Sequence, residues 1–81
     1  MECLNPNLIK ALGEVQNYMP NLKAEHWGCY TGKTLTEVAA LLALPPHVIW
    51  FFSIAGVKVA ADYRLGEGEE VTIHSPIDGG N

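Results

Sequence analysis

An α+β domain, with a sheet packed on one main helix, is what three features of this sequence predict. A capped, apolar-striped segment begins at Thr34, and runs with strand character lie on both sides of it. The third feature is length: 81 residues make one domain. A chain of this size buries roughly 60–65% of its unfolded surface. That is enough for one modest core, without a cavity that would enclose a cofactor.

The helix signal is "TLTE" (Thr34–Glu37), in which Thr34 caps the first turn and Glu37 reaches back to the cap. Leu35, Val38, Leu41 and Leu42 then share one face, and Pro45-Pro46 is expected to end the helix after about three turns. Downstream, Val48–Ile54 is apolar at nearly every position and reads as a buried strand. Gly56 supplies a turn, and Val57–Ala60 returns as a shorter strand. "LGEGEEVTIHS" (Leu65–Ser75) reads as a polar turn and a last strand, with Val71 and Ile73 inward and Thr72 and His74 outward. Before the helix, "LKAEHWGC" (Leu22–Cys29) alternates as a strand, with Leu22 and Ala24 on one side.

The first twenty residues carry a conflict. "NPNLIKALGEVQNYMP" (Asn5–Pro20) looks helical locally: Asn5 can cap, Pro6 fits the first turn, and Leu4, Leu8, Leu12, Val15 and Met19 recur every three or four positions. A sheet feeding one helix instead asks for a strand here.

Composition narrows the partners. Hydrophobic residues at 48% and charged residues at 17% are globular rather than disordered proportions. The formal charge is −4 with five Lys and Arg spread along the chain, so there is no basic stripe for a nucleic acid. An acidic surface suits a protein partner with a basic docking face. Cys3 and Cys29 lack CxxC spacing and disulfide-scaffold density, and His26 with Cys29 forms an H-x-x-C pair without a second pair to complete a metal site. No signal segment opens the chain, and "VIWFFSIAGV" (Val48–Val57) falls short of the roughly 20 residues that cross a bilayer. The expectation is a soluble, cytoplasmic, reduced protein with no membrane partner. "GCYTGKT" (Gly28–Thr34) imitates a P-loop, but three residues separate its glycines where the motif has four. The plainer reading is a turn followed by the Thr34 cap.

Several stretches, in this order and spacing, carry a resemblance. "GKTLTEVAALLAL" (Gly32–Leu44) looks like a Gly-x-Thr turn and first helix. "FSIAGVKVAADYRLGEGEEVTI" (Phe52–Ile73) is similar to a central strand, turn and acidic Gly-turn before a last strand. "HSPIDGG" (His74–Gly80) is similar to a Pro-Ile/Val-x-Gly-Gly ending, and "VQNYMP" (Val15–Pro20) to a Tyr-Leu-Pro segment. Together they resemble the ThiS/MoaD sulfur-carrier proteins, which share the β-grasp fold of ubiquitin. The resemblance covers about three quarters of the chain. It departs at Ala55-Gly56, where the family usually has Asn-Gly, and at Asn81, since such carriers normally end at the second glycine.

The resemblance implies a β-grasp (ubiquitin-like) fold, a mixed sheet on one main helix, over residues 1–75, with residues 76–81 as a flexible tail. It settles the N-terminal conflict in favour of topology: a first strand around Leu8–Leu12 paired with "LKAEHW", then a short helical turn at Glu14–Tyr18.

It also implies a carrier rather than an enzyme, with no catalytic residue, no metal and no bound cofactor. A ubiquitin-activating-type adenylyltransferase uses ATP to join the Gly80 carboxylate to AMP. Sulfur from a donor displaces the AMP, and the resulting thiocarboxylate delivers sulfur to an acceptor synthase. Gly79 gives clearance in the activating enzyme's channel, because a glycine has no side chain to block it. Pro76 stiffens the exit from the last strand.

Asn81 displaces the terminal carboxylate by up to ~3.6 Å, so the chain as written is expected to be a poor substrate. The reading is a precursor cut between Gly80 and Asn81, by a JAMM-type metalloprotease if the family parallel holds. A cloning artefact and a carrier no longer activated are the alternatives.

The acceptor stays open among a molybdenum- or tungsten-pterin precursor, thiamine thiazole, an amino-acid precursor and a tRNA base, with length and "YMP" leaning to the MoaD type. Ile77, Pro76 and Phe52 are the expected partner contacts. Period two places Trp50 and Phe52 on one side of their strand and Phe51 on the other. The competing function is a non-covalent β-grasp interaction module or subunit, for which the glycines are dispensable.

Overall fold

The computed structural model describes residues 4–76. Five strands, β1 (Asn7–Ala11), β2 (Glu25–Gly28), β3 (Phe51–Ile54), β4 (Val57–Val59) and β5 (Glu70–His74), form one mixed sheet in the order β2-β1-β5-β3-β4. β1 and β5 run parallel, with Leu8 opposite Glu70 and Ala11 opposite Ile73. The remaining neighbours are antiparallel. One helix, α1 (Leu35–Leu41), and 3-10 turns at Gly13–Tyr18, Pro20–Leu22 and Pro46–Val48 complete the described elements.

The N-terminal segment is a strand followed by a turn, against its local helical spacing. As a strand, β1 pairs on both sides, with β2 and with β5, so its backbone donors and acceptors find partners toward both neighbours. Ile9 and Ala11 point into the core at 0% and 2% exposure. Gly13, at φ +63°, then breaks the strand in a conformation that glycine adopts without strain. The turn that follows drops Val15 and Met19 into the same core.

Helix α1 carries the expected capping box: Glu37 N–H donates to Thr34 Oγ1 at 3.1 Å, and Thr34 N–H donates to Glu37 Oε1 at 2.8 Å. Its length corrects the expectation, at seven residues or about two turns. It ends before the prolines. Ala43 takes φ +57°, its N–H donates to Ala40 C=O (3.0 Å), and Leu44 N–H donates to Ala39 C=O (2.9 Å). That pair of bonds is a Schellman cap. Leu35, Val38 and Ala39 are buried, whereas Leu41 is 60% exposed.

Two strand boundaries also move. Val48 belongs to the turn initiated at Pro46, and β3 begins only at Phe51. Leu22 lies in a turn at φ +56° and is 70% exposed, so β2 starts at Glu25 and Leu22 shares no strand face with Ala24. In both places a Pro-led 3-10 turn takes residues whose alternation resembled a strand.

The core joins Ile9, Ala11, Phe52, Val71 and Ile73 from the sheet to Leu35, Val38 and Ala39 from α1. Val15, Met19, Leu44, Val48 and Leu65 close it from the connections. The long connection to β5 is tied down at Asn7, which is fully buried. Asn7 Nδ2 donates to the carbonyls of Gly66 (2.9 Å) and Glu69 (3.0 Å), while its Oδ1 accepts from Tyr30 N–H (2.9 Å).

Cys29 is disulfide-bonded, which corrects the expectation of a reduced chain. A disulfide sulfur is no thiolate ligand, so the His26/Cys29 metal pair is set aside as well. Among the described residues no helix is long and apolar enough to cross a membrane.

Candidate docking face at the exit of the last strand

β5 sits between β1 and β3, and its C-terminal end is held on both sides. Leu12 N–H donates to Ile73 C=O at 3.0 Å, and Trp50 N–H donates to His74 C=O at 2.6 Å. Ser75 is buried at 2% exposure and Pro76 is exposed. Pro76 is the last described residue; Ile77, Gly79, Gly80 and Asn81 lie outside the described residues.

Phe51 and His74 lie on the sheet face opposite α1 at the C-terminal end of β5, and Trp50 reaches the edge of Phe51 from the α1 side. The Phe51 and His74 rings, cross-strand partners, stack at 4.1 Å with an interplanar angle of 12°. Trp50 meets Phe51 edge-on at 5.1 Å, and Lys58 Nζ lies 5.3 Å from the Phe51 ring centroid. Ser53 Oγ and His74 Nε2 are 2.8 Å apart, which fixes the imidazole against its neighbour. Trp50 remains 64% exposed and Leu12, at the neighbouring strand end, 42%. Large apolar area beside a cation, on a rigid sheet, is suited to a protein interface.

The Ser53–His74 contact does not make a hydrolytic site. Ser53 is 8% exposed, and no carboxylate among the described residues hydrogen-bonds to His74 to orient it as a base. The contact positions a ring.

Phe52, expected as a partner contact, faces the other way and is 6% exposed in the core. It reaches the floor of an apolar groove of about 670 Å³ between α1 and β3, whose rim includes Trp50 and whose walls include Ala40, Leu44 and Ile49. Period two holds here: Trp50 and Phe52 line the groove while Phe51 lies on the opposite face.

Sequence reasoning passed over Phe51, His74, Ser53 and Lys58 as a group. Alternation put His74 outward and Phe51 on the side away from Phe52, but the juxtaposition of the four depends on the β3–β5 and β3–β4 registers. No short-range signal encodes those registers.

The P-loop-like stretch is structural. Gly28 ends antiparallel edge strand β2, Tyr30 lies over it, and a Cβ on Gly28 would meet the Tyr30 ring at 2.5 Å. Burial raises the Tyr30 pKa above its ordinary value. Among the described residues no group of three or more His, Cys, Asp or Glu could hold a metal ion.

Comparison of the chain with protein-family models, with curated proteins and with solved structures gives no match.

Proposed function

We propose that the chain is a β-grasp sulfur carrier of the ThiS/MoaD kind, whose body presents a C-terminal tail to partner enzymes. The observation that carries this reading is the N-terminal segment. The β-grasp expectation required a strand near Leu8–Leu12 and a turn at Glu14–Tyr18 in place of a helix, and the chain has β1 at Asn7–Ala11 and a turn at Gly13–Tyr18. The parallel pairing of first and last strands at the centre of the sheet supports the same fold.

In this reading Gly80 is the reactive residue. Its carboxylate, freed by removal of Asn81, attacks ATP on an adenylyltransferase, releasing pyrophosphate. A sulfur donor then displaces AMP, and the thiocarboxylate passes sulfur to an acceptor synthase in cofactor biosynthesis, with a pterin acceptor favoured over thiamine. Gly79 clears the channel, Ile77 and Pro76 are gripped, and the chain itself catalyses nothing.

Intact-mass measurement of untagged protein recovered from its native host tests this. Loss of Asn81 and replacement of one oxygen by sulfur on the shortened chain is the expected result. Full retention of Asn81 without sulfur, while the pathway is active, overturns it.

The aromatic cluster favours a second reading. Phe51, His74 and Trp50 offer a docking surface that needs no tail, as a non-covalent interaction module would use. Removal of Gly79 and Gly80 separates the two, since it abolishes a carrier's activity and spares a module's.

A further inference from the structure

We infer that the β2 edge of the sheet takes up an extended segment of a partner protein as an added antiparallel strand, one that alternates apolar and cationic side chains. Among the described residues β2 is paired on one side only, with β1. Ala11 N–H donates to Ala24 C=O at 2.8 Å, which sets the alternation of that ladder. His26 and Gly28 therefore turn their backbone groups toward β1. Glu25 and Trp27 turn theirs outward, in register for a further strand.

β2 is also poorly defended as an edge. It contains no proline, and its pairing runs without a bulge from Asn7–Gly28 to Lys10–Glu25. The opposite edge, β4, is three residues long and carries Lys58 at its centre.

Side chains decide which strand fits. Cross-strand partners share a face, so Glu25 beside Lys10 and Trp27 beside Leu8 stand on the side away from Ile9 and the core. Trp27 is 60% exposed, and with Lys23, Ala24 and Glu25 it lines a shallow cleft along the edge. Lys10 makes its ion pair with Glu70 (3.7 Å), and among the described residues the Glu25 carboxylate forms none. An incoming Arg or Lys opposite Glu25 supplies the missing cation. An aliphatic residue two positions along packs on the Trp27 indole. The formal charge of −4 favours the same cationic segment. A second copy of the chain fits less well, because it brings that same charge. The register that sets Glu25 opposite Lys23 also needs the Lys23 N–H, which already donates to Pro20 C=O (3.2 Å).

This edge is separated from the Phe51–His74 stack by β1, and its use does not rest on the sulfur-carrier reading. The test adds an acetylated, amidated peptide, Ser-Val-Thr-Arg-Thr-Val-Ser, to the isotope-labelled full chain at up to about 1 mM. Amide shifts centred on Glu25–Gly28 are expected, with slower exchange at the Glu25 and Trp27 amides. Replacing the peptide's Arg by Glu should abolish them. N-methylation of its Arg and Val nitrogens, which face β2, should do the same, whereas methylation of its Thr nitrogens should leave binding intact. Glu25→Gln should weaken binding about threefold, as expected for an exposed ion pair. Glu25→Arg should transfer the preference to the Glu peptide, with unchanged shifts in the other strands showing that the variant folds.

The inference is overturned by the absence of shifts at the highest peptide concentration or by shifts that gather elsewhere in the chain. Equal binding of the Arg and Glu peptides, or indifference to N-methylation, overturns it too. So does a concentration-dependent dimer of the peptide-free chain that pairs β2 with itself. A failed thiocarboxylate measurement leaves every one of these readouts untouched.

Discussion

Asn7 shows how one polar side chain can hold two distant loops to a sheet. It occupies a core-facing strand position at 0% exposure, where the pattern rule expects an apolar residue. Its amide instead satisfies the carbonyls of Gly66 and Glu69 and the N–H of Tyr30, 59, 62 and 23 positions away in sequence. Asn7→Ala strands these groups, and a loss of about 3 kcal/mol is expected in urea unfolding. A loss under 1 kcal/mol would mean that water substitutes for the amide. Its partners are too distant for the sequence to announce, which is why Asn7 escaped the sequence reading. Two alanines make the complementary case. Ala43 and Ala55 both hold positive φ, at +57° and +53°, where a Cβ is strained. Ala43→Gly should raise stability by about 1 kcal/mol at the Schellman cap, whereas Ala40→Gly, inside α1, should lower it by about the same amount. Opposite shifts in the urea midpoint check both. The Ala55-Gly56 turn was legible as a turn, since Gly56 marks it; that Ala55 itself would adopt the left-handed conformation was not.

At the level of elements, α1 depends on its N-terminus. Glu37 accepts from the Thr34 backbone N–H, and that bond, ahead of the nearby Arg64 and Lys33 charges, lowers its pKa below the ordinary carboxylate value. A depressed carboxylate contributes stability that is present above the unfolded-state pKa and disappears as pH falls through the folded-state value. The melting difference between wild type and Glu37→Ala should therefore be full at pH 7 and shrink steadily below about pH 4.5. A difference that does not change with pH would remove the charged cap from the account. Thr34→Ala takes away the other half of the box and should cost about 1 kcal/mol at neutral pH. This box was legible because its signal is four residues long. The helix end was not, because a Schellman cap built on alanine looks like continuing helix, and Pro45-Pro46 drew the boundary too late. Leu22 and Val48 failed for a related reason. A single Pro-led turn moves a residue out of a strand whose period it still obeys.

Across the whole molecule, the proposed carrier reading requires body and tail to divide the work, and that requirement can be tested without a partner. The core closes from Ile9 to Ile73, and the last buried side chain among the described residues is Ser75. Strands β1 and β3 already hold β5 on both sides, and the backbone bonds at Ile73 and His74 finish before Pro76. A chain cut after Pro76 should therefore keep its cooperative unfolding, with a change within about 0.5 kcal/mol, as for other removals that touch no buried contact. The aromatic cluster gives a built-in control. Phe51→Ala in the full-length chain removes the stacking partner of His74 and the ring under Lys58, so it should cost about 1 kcal/mol and loosen the imidazole. The truncation should leave the His74 ring signals in the NMR spectrum where they are; Phe51→Ala should move them. If truncation instead lowers stability by several kcal/mol, residues 77–81 belong to the fold. A tail committed to the fold cannot also be threaded into another enzyme's active site, and the carrier reading would give way to the interaction module. If the body is indifferent to the cut, the tail is available for chemistry, and the mass of the host-derived protein then decides whether that chemistry is sulfur transfer.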